Sequence, residues 1–302
     1  MAIANTRRAQ SRRLLKADLT GLLYVLPFLA GFLMLRVYPM GYSIWLMFQK
    51  WDLITPAQFA GLANFRRLAA DPKFVLSLTN TAFYTFLGVP IHLTVALLLA
   101  LALNTDIRGQ PFYRTVFYLP SITPAVASAV IWLQMFHQEF GIINTFLANF
   151  GVPPIKWLFD PDLAKPAFIL MGCWSVGPQV VIFLAGLQGI PEVMYEAAVI
   201  DGAGRWAKFS QITVPLLSPV IFFNLVMGVI GSFQVFTSAF IMTSGGPQNA
   251  TLFSVLYIYQ DAFQNFRMGY AALMAWVLAL IILFFTFIQF RVSNRWVYYE
   301  AA

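Results

Sequence analysis

The chain alternates between long stretches that carry no charged side chain and short polar connections. Between successive Asp, Glu, Lys and Arg residues, six uncharged runs stand out: Leu19–Leu35, Phe74–Thr105, Thr115–Gln138, Pro166–Pro191, Phe209–Gln260 and Met268–Phe290. Crossing the hydrocarbon of a bilayer takes about 20 apolar residues in a helix, so each run predicts one membrane span. The longest run is interrupted by Gly245-Gly246-Pro247, and Gln248–Gln260 behind the break is too short to cross. It reads as one span near Val214–Ile241 followed by an external loop. The expected architecture is all-α with six transmembrane helices, at about residues 19–39, 78–102, 114–136, 166–188, 214–241 and 268–290, forming one membrane domain over 19–302.

Composition agrees with lipid as the main solvent. Of the 302 residues, 60% are hydrophobic and only 10% charged, whereas a soluble domain carries about a quarter charged residues to cover its wet surface. The net charge of +7 invites a nucleic-acid reading, but the basic residues are scattered between apolar runs rather than massed on a face, so no nucleic-acid partner is expected. Cys173 is the single cysteine. It excludes an internal disulfide and a thiolate metal site, and it reads as a small buried hydrophobe.

Residues 1–18 form a basic tail, with Arg7, Arg8, Arg12, Arg13 and Lys16 against Asp18. The apolar run that follows is not closed by a small-residue cleavage site, since Leu33-Met34-Leu35 leads into Arg36, so it reads as a retained span rather than a signal peptide. The positive-inside rule puts the tail in the cytoplasm, and an even number of spans puts the C-terminus there too. Trp45, Trp51, Trp157 and Trp296 fall near expected span ends, as interfacial anchors do. No Asp, Glu, Lys or Arg falls in the middle of an expected span, which argues against a proton-driven pump or a voltage sensor. His92, inside the second span, reads as a neutral side chain packed against a neighbouring helix.

Between the fourth and fifth spans, residues 191–213 form a polar connection with its own local logic. Pro191 is placed for a first helical position, with Glu192 beside it to suit the helix dipole. The short helix is expected to end at Asp201-Gly202, where glycine takes the left-handed backbone of a sharp turn, and Asp201 could cap the helix that follows. Ala197, Ala198 and Gly202 give this helix–turn–helix a small-residue surface open to close approach. On spacing alone, an amphipathic loop lying on the membrane and a docking element fit equally well.

The whole string separates them. Glu196-Ala197-Ala198, then Gly202, Ile212 and Pro215 in register, resemble the EAA loop of binding-protein-dependent ABC importers, and Asp201, Ala203 and Phe209 are similar to the carbohydrate-uptake branch. The resemblance extends along the chain, through Leu26-Pro27, Tyr38-Pro39, Gly61-Leu62-Ala63-Asn64-Phe65, Arg114-Thr115-Val116-Phe117-Tyr118-Leu119-Pro120 and Gly245-Gly246-Pro247, and looks most like the first permease subunit of maltose-type systems. It implies a type I permease fold in a prokaryotic cytoplasmic membrane. It further implies a second permease of the same family, an ATPase dimer docked on the EAA loop through Glu196, Ala197, Ala198, Asp201, Gly202 and Ala203, an extracytoplasmic solute-binding protein, and a sugar-like solute. No cofactor is then bound by this chain, and ATP and Mg belong to the partner ATPase. The sequence agrees, because no Gly-x-x-x-x-Gly-Lys phosphate-binding segment occurs in it.

A solute path needs amide, hydroxyl and aromatic groups facing a cavity. The fourth span offers Trp174, Gly177 and Gln179, with Pro178 disturbing the helix, and the fifth offers Asn224, Ser232, Gln234 and Thr237. Hydrogen bonding between helices is the competing role for each, and Gly228 with Ser232 reads as a close-packing face. An intramembrane enzyme would need a nucleophile and base or metal ligands inside the spans, and two histidines, one cysteine and no mid-span carboxylate are a poor basis for either. A secondary carrier would not need a docking loop, and no repeat relates the two halves as such carriers often show. A purely structural assembly subunit would leave substrate preference untouched by changes in the fifth span.

Overall fold

A computed structural model of the chain describes residue 21 and residues 23–105 and 108–298. The basic tail of residues 1–18 lies outside them. The protein is a helical bundle. Its elements, in order, are α1 Leu23–Leu46, a two-residue hairpin β1 Gln49–Lys50 and β2 Gln58–Phe59, α2 Ala63–Ala69 and α3 Pro72–Leu103. Then come α4 Gln110–Ile122, α5 Ala125–Met135, α6 Ile142–Ala148, α7 Pro161–Trp174 and α8 Gly177–Gln188. The last are α9 Glu192–Ile200, α10 Arg205–Lys208, α11 Val214–Phe233, α12 Thr237–Met242, α13 Ser254–Tyr259 and α14 Met268–Ser293. Long apolar helices account for four spans, and the bent pairs α4–α5 and α7–α8 supply two more.

Helix α3 is the axle. Asp71 caps it, its carboxylate accepting from the backbone N–H of Lys73 and Phe74 at 2.9 and 3.2 Å, and Pro72 supplies a preset first turn. Ala96 and Ala100 are fully buried where α8 crosses, small side chains that let helices approach within lipid. The Gly228–Ser232 face of α11 does pack closely on α3. A Cβ on Gly228 would sit 3.0 Å from Val89, and Ser232 Oγ donates to Thr85 Oγ1 at 2.9 Å. His92 packs against α7, its Nε2 at 2.9 Å from the Ile169 carbonyl oxygen.

Two spans are bent by proline chemistry. Pro124 pushes Thr123 into extended backbone (ψ 128°), so the run expected as one rod over 114–136 turns by 100° between α4 and α5. Ser175 and Val176 interrupt the fourth span, Pro178 restarts it in the first turn of α8, and the two halves meet at 50°.

Two expectations are corrected. The segment after Gly245-Gly246-Pro247 is not an external loop in the usual sense, because Thr251, Phe253, Ser254 and Leu256 are wholly buried. It returns into the bundle as α13, its register set by Asn80 Nδ2 donating to the Asn249 carbonyl at 2.8 Å and by the Ser254 N–H donating to Thr81 Oγ1 at 2.9 Å. The first span does not end near residue 39. It continues to Leu46, so Arg36, expected near the end of the first span, stands well inside α1, in a π-helical turn, Leu33–Val37. Apart from Leu46, no described residue of α1 is buried.

Candidate functional site

At one end of the bundle, α9 and α10 form the expected helix–turn–helix. Gly202 has φ +78°, and its N–H donates to the Val199 carbonyl at 3.0 Å while the Ala203 N–H donates to that of Ala198 at 2.8 Å. This is the Schellman closure that a left-handed residue after a helix permits. Asp201 ends α9 and does not cap α10, which starts after Gly204 without a side-chain cap. Pro191 precedes the helix and Glu192 takes its first position. The Tyr195 hydroxyl, 3.0 Å from Thr213 Oγ1, ties α9 to the π-helical turn Phe209–Thr213 that leads into α11.

No residue of α9 or α10 is buried. Glu196, Ala197, Asp201 and Gly202 are exposed, and Ala198 and Ala203 are half-buried. Apolar side chains share this surface: Ile200 is 87% exposed, Trp206 76% and Val193 68%. A Cβ on Gly202 would meet nothing within 4 Å. Within this chain, therefore, the glycine serves the turn alone.

Deeper in the bundle, the interruption between α7 and α8 opens on a cleft of about 260 Å³. Tyr84 and His92 of α3, Ser175 and Gln179 at the interruption, and Ser232 and Val235 at the end of α11 line it. Irregular backbone at membrane depth is tolerated where it is buried in protein or lines a cavity. The buried Oε1 of Gln179 has no partner among the described residues.

The seven sequence candidates divide on this geometry. Gln179 and Ser232 reach the cleft, Ser232 already engaged to Thr85. Trp174, closing α7, meets Trp132 edge-on with centroids 6.0 Å apart. Gly177 is a packing position, since a Cβ there would lie 2.7 Å from the Phe117 carbonyl oxygen of α4. Asn224 is buried and donates to Val220 in its own helix at 3.0 Å, so it does not reach the cleft. Gln234 and Thr237 flank the break between α11 and α12, the first exposed and the second half-buried.

The opposite end of the bundle carries features the sequence reading missed. A cleft of about 410 Å³ between the β1–β2 hairpin and the start of α14 is lined by Lys50, Trp51, Asp52, Arg67 and Arg267, among others. Behind it, Asp71 binds two tyrosine hydroxyls, and the buried Asp261 pairs with Arg267 at 3.5 Å. Asp71-Pro72 was a readable cap signal, but its tyrosine partners lie far away in sequence.

A family model described as the inner membrane component of binding-protein-dependent transport systems matches residues 68–298. The chain belongs to this family. The permease is 43% identical to the probable ABC transporter permease protein YesP of Bacillus subtilis, over 97% of this chain and 96% of that one. It is 35% identical to the lactose transport system permease protein LacF of Rhizobium radiobacter, over 97% and 99%. With the trehalose/maltose transport system permease protein MalF of Thermococcus litoralis it shares 31% over 91% and 93%. The fold is that of a chain in a bacterial ABC transporter involved in alginate import, with a TM-score of 0.82 at 24% identity over 95% of this chain and 99% of that chain. The permease is thus an inner membrane subunit of an ABC importer, a transport component whose ATP is hydrolysed by a separate ATPase.

Proposed function

We propose that the permease forms half of the translocation path for a sugar, oligosaccharide or related solute, with a second permease of its family as the other half. The α9–α10 hairpin is the ATPase docking element, on the cytoplasmic side together with both chain ends, and a solute-binding protein delivers solute at the opposite end. ATP and Mg stay with the ATPase pair. The relatives support the solute class, being named for lactose, trehalose/maltose, arabinooligosaccharides and sn-glycerol-3-phosphate.

The observation that carries the reading is the mechanical continuity of the hairpin with the cleft. Residues 205–233 run as helix without a break through the π-helical turn. One end of that rod bears the exposed hairpin and the other bears Ser232 of the cleft wall. A push on α9 is transmitted along a stiff element to the cavity, which is what coupling between ATPase closure and solute access needs. Glu196 offers a polar contact to the ATPase, and Ala197 with Gly202 leaves room for a close fit.

The test is a mild-detergent purification of the tagged permease from its native membranes, with partners identified by mass spectrometry and uptake followed in vesicles. Recovery of an ATPase, a second permease and a solute-binding protein, with uptake driven by ATP, is expected. Recovery of the chain alone, with uptake driven by an ion gradient, would instead establish a secondary carrier.

A further inference from the structure

Arg36 stands at a depth where a lone cation is costly. The depth follows from the antiparallel register of α1 against α14. Trp276 Nε1 donates to Ser43 Oγ at 2.9 Å, and Gly269 abuts the backbone of Gln49 and Leu46. Advancing one helix while receding on the other puts Arg36 level with Leu283. At 1.5 Å per residue, that is roughly 22 Å in from Met268 at one end of the charge-free stretch of α14, and about 12 Å in from Arg291 at the other. An arginine at the centre of a lipid-facing helix is strongly disfavoured, and its five donors want acceptors.

The described residues supply none. Among the described residues, Arg36 makes no side-chain hydrogen bond and no ion pair, and it is exposed. Its neighbours Leu33, Met34, Leu35 and Tyr38 are exposed as well, so the surface around it is uncovered and apolar except for the Tyr38 hydroxyl. The helix is also locally widened at that position, Arg36 lying in the π-helical turn Leu33–Val37, and such turns inside α-helices are frequent at functional sites. Lipid tails could cover the leucines. They could not accept from the guanidinium.

We propose that Arg36 is an anchor of the subunit interface: α1 lies against the second permease, which presents to it a mid-membrane acceptor, a carboxylate or a cluster of carbonyl oxygens freed by a helix break. The inference rests on the two-permease reading given above and adds to it a residue and the chemistry of its partner. A charge paired and hydrogen-bonded inside an interface fixes register and partner choice, and Arg36 is the one charged side chain among the described residues of α1.

The experiment uses the whole transporter, purified through a tag on the ATPase, with the amount of each permease measured. Arg36→Leu makes α1 a better membrane segment, so membrane levels of the chain are expected to hold or rise. Co-purification with the second permease is expected to fall at least about tenfold, because the partner's acceptor is left buried and unpaired. Arg36→Lys is expected to retain part of it. In parallel, a photo-crosslinking residue at position 36 of the assembled transporter is expected to attach to a span of the second permease. Unchanged co-purification of Arg36→Leu, or crosslinks confined to lipid or to a second copy of this chain, would overturn the inference while leaving the importer reading intact. Absence of any second permease from the wild-type preparation would remove both.

Discussion

The carboxylate of Asp71 accepts a hydrogen bond of 2.6 Å from the hydroxyl of Tyr270, 199 positions further along the chain. The same oxygen accepts from Tyr257 at 2.7 Å, while the other takes the two N–H groups that begin α3. One side chain thus closes the N-terminus of the central helix and binds both the returning segment α13 and the last span. Partial burial works against its charge. The hydrogen bonds from Tyr270, Tyr257 and the backbone N–H groups of Phe74 and Lys73 outweigh that and hold its carboxyl below the usual 3.8.

A folded-state pKa below the unfolded one means that Asp71 contributes its full stabilisation above the ordinary carboxylate range and loses it as pH falls through the folded value. Thermal unfolding of the purified permease should show this acid-side loss, and Asp71→Asn should flatten it. Tyr270→Phe removes one bond to a charged acceptor and should destabilise by about 1–3 kcal/mol, with Tyr257→Phe in the same direction. An unchanged melting profile for both tyrosine variants would mean that the clasp holds nothing.

Gly172 and His92 make a second, tighter contact. A Cβ on Gly172 would run into Cε1 and Nε2 of the imidazole, whose Nε2 is already committed to the Ile169 carbonyl. Gly172→Ala is expected to destabilise by about 1–3 kcal/mol, the usual cost of overpacking a closed site. In a His92→Ala background, the same change should be close to neutral, and the double-mutant cycle measures the coupling.

How much of this was legible in the sequence follows from which forces act locally. Spans announce themselves because lipid excludes charge, and the turn at Asp201-Gly202 because its backbone conformation calls for glycine. The same charge rule set the end of α1 too early, since the uncharged run stops at Leu35 while the helix continues past Arg36 to Leu46. Pro178 marked the break in the fourth span, and Thr123-Pro124 was an equally local signal for the turn after Ile122, although it does not give the angle of 100°. Residues 248–260 were too short to cross and so read as loop, although a segment too short to cross can still be buried by folding back, as Phe253 and Leu256 are. Of the candidate path residues, Gln179 and Asn224 were indistinguishable by type. Only packing separates an amide facing a cleft from one folded onto its own helix.

Gly202 offers a way to separate the turn from the docking. Its φ of +78° disfavours any β-branched residue, so Gly202→Val should break the Schellman closure and uncouple ATP hydrolysis from uptake, with membrane insertion intact. Gly202→Asn tolerates the left-handed backbone and meets no atom of this chain within 4 Å, so the hairpin should keep its shape. If an ATPase surface packs against the glycine, uptake per ATP should nevertheless fall in Gly202→Asn. Full coupling in that variant, measured by uptake and hydrolysis in proteoliposomes, would confine the glycine to a conformational role.

Gln179 is the path residue with chemistry to spare. Its buried Oε1 lacks a partner among the described residues and it lines the cleft at the α7–α8 interruption, whereas Ser232 across the cleft spends its hydroxyl on Thr85. An unsatisfied buried acceptor costs about 1–3 kcal/mol, and a solute hydroxyl donating to it would recover that in the occupied transporter. Gln179→Leu should therefore leave the assembled complex as stable as wild type or more so, while weakening uptake about tenfold or more for the transported solute. Ser232→Ala should do the reverse, lowering stability through the lost bond to α3 with little change in solute preference. Parallel uptake kinetics and thermal unfolding on the two variants decide the matter. If Gln179→Leu leaves uptake unchanged, the cleft is a packing defect and the path runs elsewhere.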